Sequence, residues 1–450
     1  MDKKELFESV NPARALSIMA LPTIGSQIIV LLYNLADTWF IGRTNDPYMV
    51  AASSLVLTVY LAVVALANVF GVGGSSLMVR LMGDKNTDEA RRVASYSIIS
   101  AIIAALVFSL ATLVFLKPLL LVMGASDNTF LYGKQYLIAT TVIGSTPTVL
   151  AMVMPMLLRN AGYAKEAGFG VALGGILNIF LDPIFMFVIL PDGYEVLGAG
   201  IATMLSNVLA TVYFTVMFRK VQETTVLELP KKPVKIEKDS KRSFYSVGIP
   251  AAFAIFLFDL VTIVINRLTV SYGDIPLAAM GIVLKLERLP LNVGLGICLG
   301  MVPLVAYNYS AKNFGRMQQF VSLARIAILA FSGFCIILFW FFAEPVCSSF
   351  IKDEETVRYA AMILKGRCFA MPFMLIGYHI VNFMNAVDRG KVSFLLAVVR
   401  HLVLIVPLLL IMNAVFGLSG LIWAQLIADV LNAVVSVIIF SKVKAQIING

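Results

Sequence analysis

The chain has 450 residues, 60% of them hydrophobic and only 14% charged, with a mean hydropathy of +0.90. A soluble domain is about 25% charged, so a water-soluble core is the wrong class. The formal net charge of +9 is scattered among loops rather than gathered on one face, which argues against a nucleic-acid surface. Two histidines and four cysteines, with no CxxC pair and no HExxH run, leave no ligand set for a zinc or redox centre and imply no disulfide framework.

In chain order, MDKKELFESVNPARAL is polar, and the apolar run behind it outlasts a signal-peptide core. It reads as a short cytoplasmic lead-in to a first membrane helix. About 20 apolar residues cross the hydrocarbon as a helix. Apolar runs between polar breaks predict twelve such spans. Six centre near Ile28, Leu66, Ala105, Val149, Ile179 and Val208, and six near Ile263, Val293, Leu329, Met374, Val403 and Ala433. The expected class is an all-α polytopic membrane protein. Its expected organisation is an N-terminal six-helix lobe over 1–218, a cytoplasmic linker over 219–243 and a C-terminal six-helix lobe over 244–450. The linker, RKVQETTVLELPKKPVKIEKDSKRS, is marked by its charge and by Pro230 and Pro233.

Lys and Arg in short loops set the direction of the spans. One set of loops holds Arg80, Lys85, Arg91 and Arg92, then Arg159 and Lys165, then Lys312, Arg316 and Arg325, then Arg389 and Lys391. The alternate loops LPDGYEVLG, SYGDIP and NAVFGLSG have no base. Both termini are therefore expected in the cytoplasm of a cell whose inner membrane holds the protein.

The two halves repeat at a shift of 227. Lys85-Asn86 pairs with Lys312-Asn313, Lys117-Pro118 with Glu344-Pro345, Ala51-Ala52 with Ala278-Ala279, and Gly73 with Gly300. An even number of spans per half makes the repeat parallel, with a pseudo-two-fold along the membrane normal. Two bundles rocking about a cleft suit alternating access.

Three carboxylates interrupt the apolar runs: Asp37 in LYNLADTWFIG, Asp182 in LNIFLDPIFMF and Asp259 in FAIFLFDLVTIVI. A charge there costs roughly 2.5 kcal/mol or more and normally faces a partner, an ion or a water-filled cavity. At the repeat shift Asp37 meets Val264, Asn178 meets Ile405 and Asp182 meets Leu409, so this polar set belongs to the first half alone. Asn178 and Asp182 are four apart and Asn34 and Asp37 three apart, each pair on one helix face. Around them Tyr33, Phe180, Phe256 and Phe258 are suited to stack on flat cations. Met152, Met154 and Met156 are either core filler or an adaptable cleft wall. Pro22 removes one hydrogen bond from the first span and offers a place to bend. Lys285, Glu287 and Arg288 read as an internal ion-pair network, and Asp429 as part of a similar one.

These features resemble the multidrug and toxic compound extrusion (MATE) family of cation-coupled efflux antiporters over essentially the whole chain. The likeness rests on PTIGSQIIVLLYNLADTWFIGR, GVGGSSLMVRLMGDKNTDEARR, LRNAGYAKEAG and NIFLDPIFMF. The resemblance implies an amino-lobe cation site at Asp37, Asn178, Asp182 and Thr203, a hard-oxygen set for Na⁺ whose carboxylates can instead hold H⁺. It implies no cofactor beyond that coupling ion. Another branch of the family uses acids in the seventh and tenth spans. Asp259 sits near the seventh-span position, but the tenth carries Tyr378-His379 and no acid, so a carboxyl-lobe site lacks one of its groups. Asp259 is open between attracting a cationic substrate and pairing internally, for instance with Arg267.

The expected function is Na⁺- or H⁺-driven export of organic cations or amphiphiles by a monomer whose other partner is membrane lipid. The tentative cleft residues are Tyr33, Asn34, Met152, Phe256 and Asp259. The alternative is a flippase of the same superfamily for lipid-linked sugar precursors, which calls for basic residues placed for a diphosphate. An enzyme would need a convergent nucleophile, metal or acid–base set, and none is legible.

Overall fold

No backbone N–H or C=O can be left open in hydrocarbon, so a chain of this composition must close them within helices. The computed structural model describes residues 3–44, 46–230 and 232–449, apart from the side chains of Lys3, Lys4, Asp259, Asp274 and Asn449. Among these residues there are helices and connections, and no strand. The first half runs α1 (Lys3–Glu8), α2 (Pro12–Gly42), α3 (Pro47–Gly83), α4 (Thr87–Val114), α5 (Leu116–Val122), α6 (Asp127–Leu137), α7 (Ser145–Asn160), α8 (Ala164–Ile184) and α9 (Glu195–Val221). The second runs α10 (Lys238–Thr269), α11 (Asp274–Ser310), α12 (Phe314–Ser348), α13 (Glu354–Arg367), α14 (Met371–Ala386), α15 (Gly390–Val398) and α16 (Val406–Asn449). Wider π-helical turns follow α6, α8 and α15, at Ile138–Ile143, Phe185–Ile189 and Val399–Ile405.

Among the described residues, ten helical runs are long and apolar enough to cross a membrane, and one bent pair, broken by 50° at Gly144, makes an eleventh. The last of the ten, Gly390–Ile448, is 59 residues long. At about 1.5 Å per residue that is far more than one bilayer thickness. Gly417, at φ 58° and ψ −139°, breaks it into two spans. The twelve expected spans are thus all present. Residues with a side chain rarely take that positive φ, so glycine is needed at this corner.

The repeat is written into the backbone as well as the sequence. Lys85 and Lys312 both lie in the left-handed region, at φ 62° and φ 56°. The next residues, Asn86 and Asn313, cap α4 and α12 by accepting the N–H of Glu89 and Arg316, each at 3.2 Å. The preceding helices end alike, with Asn86 N–H on the Leu81 carbonyl and Asn313 N–H on the Asn308 carbonyl, both 2.9 Å. This closure usually places glycine where the lysines stand.

The chain contacts divide into two compact units, Gly25–Ala252 with the amino-terminal segment through Ser9, and Val10–Ile24 with Phe253–Gly450. Each unit therefore includes the first turns of a helix whose remainder belongs to the other. In the first unit a Cβ on Gly73 would stand 2.5 Å from the Phe244 carbonyl oxygen of α10. In the second, a Cβ on its repeat mate Gly300 would stand 2.6 Å from Cα of Ala20 in α2. Small residues let membrane helices approach backbone to backbone, and both contacts use that device. The chain changes unit at Ile24/Gly25, just past Pro22, although α2 stays helical through the proline.

The polar stretch after α9 is less solvated than its composition implies. Val226 and Leu227 are buried in the first unit's apolar core. Glu237 N–H donates to Oε1 of buried Glu89 at 2.9 Å, and Arg80 Nη2 donates to Ser243 Oγ at 2.9 Å.

Candidate cation site and a second buried charge network

Within the first unit, α8 presents Asn178 and Asp182 one turn apart, 3% and 0% exposed. Asn178 Nδ2 donates to Asp182 Oδ1 at 3.1 Å and to Thr203 Oγ1 of α9 at 3.4 Å. Pro183 follows at once and removes the N–H that would bond the Ile179 carbonyl, and the π-helical turn begins two residues later. From α2, Asp37 lies within electrostatic reach of Asp182. Three acceptor oxygens at this place, Asp37 Oδ1, Asn178 Oδ1 and Asp182 Oδ2, are buried with no hydrogen-bond partner. Buried polar atoms are ordinarily satisfied, so these unmet acceptors are open to a hydrogen-bond donor or a cation.

Tyr33 on α2, Tyr60 on α3 and Tyr136 on α6 lie within electrostatic reach of Asp37, and Tyr136 also of Asp182. Asn207, one turn beyond Thr203, donates Nδ2 to Thr148 Oγ1 at 2.9 Å. The sequence reading did not name Tyr60, Tyr136, Asn207 or Thr148. Thr203 and Asn207 share the four-residue spacing of Asn178 and Asp182, so that signal was present in GIATMLSNV. The two tyrosines had none beyond a hydroxyl in an apolar run.

The other expected residues are placed less centrally. Asn34 turns its amide onto its own helix, donating to the Val30 carbonyl at 2.7 Å. Met152 is partly buried against the first unit's core, and Met154 is fully buried in it. Phe256 belongs to the second unit and is 42% exposed. The side chain of Asp259 lies outside the described residues.

The second unit holds a different network. Glu287 of α11 receives Arg367 of α13 through two hydrogen bonds, Nε to Oε1 and Nη2 to Oε2, both 2.8 Å. Arg367 is 1% exposed, and its Nη2 also donates to Gln425. Arg400 Nε donates to Asp429 Oδ1 at 2.8 Å, with the guanidinium 4.9 Å from the Tyr378 ring centre. Gln425, Asp429, Asn432 and Ser436 share one face of α16 by spacing, the last three buried. His379 reaches the Val321 carbonyl through Nε2 at 3.0 Å. Glu287 is thus in an internal ion pair as the sequence suggested, though its partner is Arg367 and not a neighbour in its own helix.

Comparison with known proteins gives the family. The MatE family model matches the chain twice, over residues 22–184 and 250–411, starting 228 residues apart and so one match per repeat. The chain is 30% identical over 435 residues to the multidrug export protein MepA of Staphylococcus aureus (strain MSSA476), covering 96% of this chain and 94% of that protein. Among solved structures, a MATE protein in complex with MaL6 is similar over 100% of both chains at a TM-score of 0.94 and 22% identity. The outward-facing conformation of a multidrug resistance MATE family transporter of the MOP superfamily is similar over 99% of both chains at a TM-score of 0.91 and 22% identity. A model that fits both repeats and a relative matched nearly end to end leave one reading: the chain belongs to the MATE family of efflux transporters, multi-pass membrane proteins and not enzymes.

Proposed function

We propose that the protein is an antiporter that exports cationic or amphiphilic compounds from the cytoplasm and takes up Na⁺ or H⁺ in exchange. The observation that carries this is the trio of unmet acceptors on Asp37, Asn178 and Asp182, with the Thr203 hydroxyl beside them. Two carboxylates, an amide oxygen and a hydroxyl suit a hard cation, and the same carboxylates can hold a proton instead. The cation is cargo here, entering from outside and leaving to the cytoplasm. It can drive export only by favouring one state of the transporter over the other.

Loading the site cancels one negative charge of the Asp37–Asp182 pair and loosens a cationic drug held nearby. Tyr33, Tyr60 and Tyr136 supply flat faces and hydroxyls around the carboxylates. Basic loops on one side support an inner-membrane location with both termini cytoplasmic, and one chain suffices as the working unit. A flippase for lipid-linked sugars is not favoured, since the relative matched nearly end to end is a multidrug export protein.

Asp37→Asn, verified as folded and membrane-inserted, is expected to abolish drug resistance in cells. Undiminished efflux by that variant removes the site. Drug uptake into inverted proteoliposomes under an imposed Na⁺ gradient, then an imposed pH gradient, identifies the coupling ion.

A further inference from the structure

The interior of the second unit contains a cavity of about 60 Å³ that the export reading does not use. Three arginines line it, Arg288, Arg367 and Arg400, with one acid, Glu287. Most of the remaining wall is apolar, including Phe258, Leu284 and Met374. Glu287 pairs with Arg367, and Asp429, which does not line the cavity, pairs with Arg400. Among the described side chains that leaves Arg288, itself exposed, without an acid. The fork of Arg367 is also only partly used: Nε and Nη2 are bonded, whereas Nη1 is buried with no acceptor. A guanidinium as buried as that of Arg367 is costly unless its charge and its N–H groups are met.

We infer that this cavity is a binding site for a small anion of carboxylate type, held by Arg367 and Arg288 at the edge of the Glu287 pair. Planar guanidinium forks match a carboxylate in two parallel hydrogen bonds, which water does not reproduce. The volume accepts a carboxylate group, a halide or a few waters and is too small for a sugar diphosphate. The anion comes either free from solution or as the carboxylate of a zwitterionic substrate. The second source rests on the export reading, and the first does not.

The test follows thermal unfolding of the purified full-length protein in neutral detergent. Formate or chloride is titrated at fixed pH, with ionic strength held by isethionate, which carries no carboxylate. Saturable stabilisation of about 2–5 °C is expected for the native protein. Arg288→Gln, at an exposed position, should cut that shift by more than half. Glu287→Gln removes the competing carboxylate from Arg367, so it should unfold at lower temperature without anion and recover more than the native protein does with it. A merely structural ion pair gives no such reversal. The site is overturned if no saturable shift occurs, if Arg288→Gln and Glu287→Gln respond as the native protein does, or if a response is seen only in Asp259→Asn, since Asp259 would then already supply the counter-charge.

Export assays in cells separate the two sources. Selective loss of zwitterionic fluoroquinolone resistance in Arg288→Gln, with resistance to a permanently cationic dye kept, assigns the carboxylate to the substrate. Equal resistance to both, beside an anion-dependent unfolding temperature, assigns a free anion. If resistance to both is lost the export reading is untouched, and the unfolding titration alone decides the site.

Discussion

Asp182 makes one hydrogen bond, from a side chain four residues earlier in its own helix, and keeps its second oxygen unmet. An ordinary structural carboxylate would bond both oxygens to donors or sit on an arginine. Asp429 also keeps one oxygen unmet, Oδ2, but differs in sitting on an arginine, with Arg400 at 2.8 Å from Oδ1. The two acids should therefore respond differently to loss of charge. Asp182→Asn is expected to abolish coupled export while leaving the unfolding temperature unchanged or higher. Asp429→Asn leaves Arg400 buried without its counter-charge and is expected to cost about 3–5 kcal/mol, read as a lower unfolding temperature in detergent. Thr203→Val removes one oxygen of the proposed cation site. Its expected effect is a rise of about tenfold in the Na⁺ or H⁺ concentration giving half-maximal export, the worth of one hydrogen-bond-sized interaction.

The corners between helices carry the repeat more faithfully than the helices do. Both lysines at positive φ precede an asparagine cap, and both chain reversals close with the same carbonyl-to-N–H pattern. A side chain in the left-handed region costs about 1 kcal/mol that glycine does not. Lys85→Gly is therefore expected to raise the unfolding temperature slightly without altering export, and Asn86→Ala to lower stability by about 1 kcal/mol through loss of the cap. The breaks within helices lie next to polar groups. The π-helical turn at Phe185–Ile189 begins three residues after Asp182, and that at Val399–Ile405 contains Arg400 and His401. Such turns re-aim side chains inside an otherwise closed backbone ladder. Hydropathy gives no sign of them, because one extra residue in a turn barely changes the length of an apolar run.

Loop charge bears on how the whole chain sits in its membrane. Neutralising Lys312 and Arg316 is expected to change expression or topology more than substrate range, checked by drug resistance beside membrane protein level. All four native cysteines are buried, so a single cysteine added at the carboxyl terminus should react with a membrane-impermeant reagent only after the cells are opened. The class, the twelve spans and the repeat were legible in the sequence because they rest on local quantities: apolar run length, loop charge and fixed offsets. The pairing of Asn178 with Asp182 was legible for the same reason, being one helical turn. The sequence could not show that Tyr60 and Tyr136 stand near Asp37, or that Glu287 chooses Arg367, eighty residues away, over the bases beside it. It also could not show that the opening turns of α2 and α10 belong to units other than those holding the rest of each helix. Those facts depend on which helix faces meet, and an apolar face fits many partners equally well. Hydropathy decides that a segment is buried, whereas shape, small residues and the matching of charges decide what it is buried against.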